Sequence, residues 1–151
     1  MADWKGHWHG FDPWTGSRDE FAKEGQRRPS PDPRDEQTRT FLANTMTPVE
    51  TGHWLLRRDQ AAAERTWADV ADTATWMRQA REANPADTSG GALLTVDELI
   101  ERKCASLARG GDVVWGYYTP AFSYVSFAVV CCPSRFFPNI PCPLPPRTDR
   151  R

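Results

Sequence analysis

The chain has 151 residues, with 39% hydrophobic residues, 10 Gly and 13 Pro. This suits one domain with a lean core and much loop, and excludes a barrel, a doubly wound sheet or any two-domain enzyme. Nineteen Lys and Arg against 20 Asp and Glu leave a net charge of −1, so no nucleic-acid partner is expected.

Residues 1–46 read as an aromatic, Pro-rich N-terminal arm in which Trp4, Trp8, Phe11, Trp14 and Phe21 alternate with turn residues. The amino end has no apolar run after its first Lys. No secretory signal is therefore expected, and the chain reads as intracellular and cytoplasmic with its cysteines reduced. Within the arm, Ser17 and Glu20 have capping-box spacing for a short helical turn. Arg28-Pro29-Ser30-Pro31-Asp32-Pro33 is an extended spacer, because each proline holds the preceding residue out of the helical region. Residues 35–44 predict a short helix.

A small domain, residues 47–132, follows. Thr47-Pro48-Val49-Glu50 places an N-cap residue, a first-turn proline and a capping carboxylate in order, and predicts one long helix running to Ala83, where Asn84-Pro85 stops it. Val49, His53, Leu56, Gln60, Ala63, Trp67, Val70, Ala74 and Met77 form its buried stripe at spacings of four and three. Trp54, Arg58, Arg65, Asp72 and Trp76 fall on the opposite side. Two tryptophans on a charged face point to a protein-partner surface with Arg at its rim, or to the arms folding back over them. A shorter helix starts at Thr95, with a capping box to Glu98, and ends at Gly110-Gly111. Residues 113–118 and 122–132 are rich in β-branched and aromatic residues around Thr119-Pro120-Ala121 and predict a C-terminal β-hairpin.

Residues 133–151 form a Pro-rich C-terminal tail whose Phe136 and Phe137 add aromatic anchors for a partner. Polyproline segments dock into aromatic grooves at low entropic cost. The expected fold is therefore helix-rich α+β: one long and one shorter helix packed with a C-terminal hairpin, and extended arms at both ends.

Chemistry-bearing residues are sparse. His7 and His9 would share one side of an extended strand, and Cys132 and Cys142 offer thiolates. There is no Cys-x-x-Cys, adjacent Cys131 and Cys132 point to opposite sides of a strand, and the Cys132-to-Cys142 spacing matches no common zinc module. No cofactor is the favoured expectation, with zinc on His7, His9, Cys132 and Cys142 as the alternative. Cys104 and Cys142 are candidate nucleophiles, but Arg102 and Lys103 point away from Cys104 on a helix. Hydrolase, phosphate-loop and dinucleotide motifs are missing. The leading expectation is a non-enzymatic accessory or structural subunit that binds other protein subunits through its arms and the Trp54/Trp76 face. The alternatives are a small metal-binding or cysteine-dependent enzyme, and a membrane-anchored protein using the uncharged stretch 113–134.

Overall fold

The computed structural model describes residues 4–91 and 94–147. A four-stranded antiparallel sheet in the order β2-β1-β4-β3 organises an α+β fold. Strand β1 spans His7–Gly16, β2 Thr66–Trp67, β3 Val113–Tyr118 and β4 Tyr124–Cys132. Helices are α1 Arg18–Phe21, α2 Glu36–Ala43, α3 Val70–Ala83 and α4 Val96–Ala108.

Several elements follow from local chemistry. Thr95 accepts from the Glu98 backbone while the Glu98 carboxylate accepts from Thr95 N–H, a complete capping box at the start of α4. The chain leaves α4 through Gly110 at φ +87°, a left-handed position that favours glycine. Asp35 caps α2 by accepting from Thr38 N–H at 2.9 Å, and Ser17 caps α1. The hairpin of β3 and β4 pairs Val113 with Val129 through to Tyr118 with Tyr124. β4 is an inner strand, because β1 pairs along its other side.

The N-terminal segment, expected as an arm, thus supplies a central strand. Its ladder to β4 shifts register between Phe11 and Trp14, which places Asp12-Pro13 in a bulge where a missing N–H costs no ladder bond. Gly10 sits under the Trp67 and Trp76 rings, so close that a Cβ would strike Trp67. Glycine here lets two indoles lie against the strand.

The expected long helix over residues 47–83 does not form. Residues Thr51–Leu56, Arg58–Gln60 and Ala63–Arg65 make short 3-10 turns, Thr66–Trp67 becomes β2, and only Val70–Ala83 is α-helical, capped by Asp69. Tertiary burial outweighs helix propensity here. The Thr47 hydroxyl, expected to cap the helix, instead shares a 2.7 Å hydrogen bond with Ser126 of β4. The 3-10 path turns Trp54, Leu55 and Arg57 inward together.

Two apolar layers sandwich the sheet. On one side α3 and α4 cover Trp8, Val113, Trp115, Val125, Phe127, Val129 and Cys131. The Trp8 indole donates to the Leu107 carbonyl at 3.0 Å, tying β1 to α4. On the other side Phe11, Ala128, Val130 and Cys132 pack against Trp54 and Leu55, with Ile140 and Cys142 of the tail closing over them. The outer edge of β3 is partly occupied: Lys103 Nζ donates to the Val114 carbonyl and Asp87 N–H to that of Tyr118. The uncharged stretch 113–134 contains the two hairpin strands, and among the described residues no helix is long and apolar enough to cross a membrane.

Candidate metal centre

Alternation along a strand puts His7, His9 and Phe11 on one face of β1, away from Trp8. The register of β1 with β4 places His7 opposite Cys132 and His9 opposite Val130. Cys132 and His7 are therefore cross-strand neighbours on the face turned from the helices. Cys131, one residue earlier, enters the helix-covered core, with its thiol 3.8 Å from the Leu107 carbonyl. After β4 the tail folds back across this face and delivers Cys142.

The outcome is a four-donor cluster. One nitrogen from each of His7 and His9, and the sulfurs of Cys132 and Cys142, all lie within 4.8 Å of one another. His7 Nε2 is 3.1 Å from His9 Nε2 and 3.3 Å from Cys142 Sγ, and His9 Nε2 is 3.7 Å from that sulfur. A tetrahedral zinc site with ordinary bond lengths separates two nitrogens by about 3.3 Å, nitrogen from sulfur by about 3.6 Å and two sulfurs by about 3.8 Å. These three distances lie within about 0.3 Å of those edges, and the 4.8 Å limit on the others leaves about 1 Å of adjustment to reach them.

The protonation of His9 is set from behind. Its Nδ1 lies 3.0 Å from Thr66 Oγ1, and the Thr66 hydroxyl donates its only proton to the Ala62 carbonyl at 2.8 Å. Thr66 must therefore accept from His9 Nδ1–H, which leaves a lone pair on Nε2 aimed into the cluster. This is the arrangement that orients metal-ligating histidines. His9 is fully buried. Burial first, and the neighbouring His7 second, lower its pKa to about 3, so the ring is the neutral, ligating form at pH 7. Burial and the adjacent Cys142 push the Cys132 thiol upward. A divalent cation reverses that preference, because thiols coordinate as thiolates.

All four residues named as the zinc alternative in the sequence thus converge, although three parts of the chain supply them. Thr66 carried no readable signal, since its place behind His9 exists only once β2 pairs with β1.

The aromatic partner face does not assemble as one surface. Trp54 is only 1% exposed and stacks on Phe11 at 4.4 Å between ring centroids. Trp76 packs on Trp67 and edge-on to Phe127. The chain itself folds over both indoles. Arg58 is exposed and donates to the Pro141 carbonyl at 3.3 Å, while Arg65 reaches the Gly10 and Gln60 carbonyls and pairs with Asp12 and Glu64. Phe137 leans on His53 at 4.4 Å, whereas Phe136 is 79% exposed. Cys104 faces Thr73 from α4, and burial raises its thiol pKa. No protein-family model, curated protein or solved structure matches this chain.

Proposed function

We propose that this chain is a non-enzymatic module whose fold is clasped by one zinc ion held by His7, His9, Cys132 and Cys142. The convergence of their four donor atoms within 4.8 Å carries this reading. Two imidazoles and two thiolates suit a borderline-soft, tetrahedral ion. Four protein donors complete the coordination shell and leave no position for a substrate, which is the mark of a structural rather than a catalytic site. The ion would join the first strand, the last strand and the tail at one point, holding Ile140 and Cys142 over Phe11 and Val130.

Metal analysis of the full chain, purified under reducing conditions, should give one zinc per chain. His9→Ala or Cys142→Ser should reduce it to none. Zinc at a thousandfold over its dissociation constant adds about 4 kcal/mol to stability. Chelation should therefore lower the melting temperature of the natural chain and leave that of Cys142→Ser unchanged. Absence of bound zinc with all four thiols reduced, or equal binding by Cys142→Ser, refutes the reading.

A second reading, an accessory subunit in a protein assembly, draws on Phe136. Its ring is presented to solvent by a tail segment that the clasp anchors at Cys142. In extract from source cells the chain should then elute with a larger particle, and Phe136→Ser should shift it toward its 17.1 kDa monomer. Elution of the natural chain as a monomer removes this role.

A further inference from the structure

Resting on the zinc reading, we infer that Cys132 and Cys142 are also a redox pair: a hydroperoxide joins their sulfurs in a disulfide and expels the ion. The two sulfurs lie within 4.8 Å of each other at the same site. Their exposure differs in the way a two-step oxidation requires. Cys142 is half-buried on the tail, where an oxidant can meet it, whereas Cys132 is 2% exposed on β4 behind it. The sheet separates this pair from the buried Cys131, which lies in the core beneath α3 and α4, and Cys104 packs against the same core from α4. Neither cysteine on the helix side faces the cluster.

Coordination supplies the reactive form, since zinc holds both sulfurs as thiolates and the thiolate is the nucleophile. The Cys142 thiolate attacks the terminal oxygen of the hydroperoxide. Its O–O bond breaks, a sulfenic acid forms, and hydroxide leaves (an alcohol, once protonated, from an organic peroxide). The Cys132 thiolate then attacks the sulfenic sulfur. The S–S bond forms as the S–O bond breaks and a second hydroxide departs. Two thiolates lose two electrons in total, which reduce the peroxide. The disulfide sulfurs no longer bear the charge that held the cation, and two imidazoles alone do not retain it. Residues 133–147 contain no α-helix or strand, so Cys142 can close the remaining gap to a bonded S–S distance. The tail stays tethered through the disulfide, while His7 and His9 are released.

The test uses the full chain, loaded with zinc and freed of reductant, then treated with hydrogen peroxide in modest excess. A colorimetric zinc chelator reports the free ion, a thiol reagent counts cysteines, and tandem mass spectrometry maps the linkage. One zinc should appear per chain as two of the four thiols disappear. The linked peptides should join Cys142 to Cys132 rather than Cys131, and dithiothreitol with added zinc should restore the starting state. Zinc retained under peroxide, or released with the linkage at Cys131 or Cys104 or with Cys142 merely over-oxidised, overturns the redox inference and leaves the zinc reading standing. A chain that holds no zinc before peroxide is added overturns the zinc reading itself, and that result is read independently of the oxidation.

Discussion

The two faces of the sheet are stabilised in different ways. Against α3 and α4 the layer is apolar and aromatic: Phe127 stacks on Trp115 with ring centroids 5.6 Å apart, and Trp76 and Tyr117 meet its ring edge-on. Helices satisfy their own backbone groups, so the side chains beneath them can be hydrocarbon throughout. The opposite face is covered by 3-10 turns and tail, whose backbone groups need partners from elsewhere. Polar side chains meet that need. Arg57 is 1% exposed, donates Nε–H to the Phe41 carbonyl and an Nη1 proton to that of Met46, and lies between the Phe41 and Trp54 rings. Burial lowers its pKa to about 9, which still leaves it charged at pH 7. Thr47 and Ser126 bridge the same layer, and the His/Cys cluster lies at its end. A sheet face covered by irregular chain is built with directed bonds where a helix-covered face relies on contact area.

Truncation on the helix side should give the largest loss. Phe127→Ala removes a fully buried ring and three aromatic contacts, and should cost about 3–5 kcal/mol in urea unfolding. A loss below about 1 kcal/mol would show that this face is not the apolar anchor of the fold. Arg57→Met tests the other face. It keeps the stem between two rings but removes the donor to the buried Met46 carbonyl and one of the two donors to that of Phe41, which keeps Asn44 N–H, and should cost about 1–3 kcal/mol. A neutral result would mean that the guanidinium's desolvation cancels its bonds, and the contrast between the faces would lose its polar half.

What was legible in the sequence follows the same division. The capping box at Thr95 and Glu98 and the cap at Ser17 are local, each within four residues, and both can be read directly. The hairpin was readable from β-branched and aromatic enrichment. The expected helix over 47–83 does not form because Ala61-Ala62-Ala63 and the apolar stripe favour a helix only locally, while burial of Trp54 and Arg57 and pairing of Thr66 with His9 are distant events. β1 was hidden for a related reason. Its Gly10, Asp12 and Pro13 resemble turn residues, and only the bulge and the overlying indoles explain them.

At the site, two facts could be reasoned from strand geometry alone. His7 and His9 share a side, and Cys131 and Cys132 do not. The second fact is no argument against a metal, because it only assigns the two thiols to different layers. Known zinc spacings describe ligands close in sequence, and here the register of β1 on β4 and the return of the tail do that work.

The finest test separates a metal site from a cluster of polar residues that merely pack together. Thr66→Val changes almost no volume and touches none of the four donors, yet it removes the acceptor that holds the proton on His9 Nδ1. The Nδ1–H is then left without its acceptor beside an apolar group, and the ring gains by moving the proton to Nε2, which would block coordination. Zinc affinity should fall about 10- to 100-fold, as for other partners that orient ligating histidines. The Ala62 carbonyl also loses one of its two donors in this variant and keeps Arg65 N–H, so a small loss of stability should appear with or without metal. Thr66→Ser supplies the control, because it restores the hydroxyl and should recover most of the affinity. Competition titration against a chelator reads the affinity, and ring-nitrogen chemical shifts read the tautomer. If Thr66→Val binds zinc as tightly as the natural chain while losing the same stability as Thr66→Ser, then Thr66 serves packing alone. If the two variants part in affinity but not in fold, the hydroxyl is shown to act on the metal through His9.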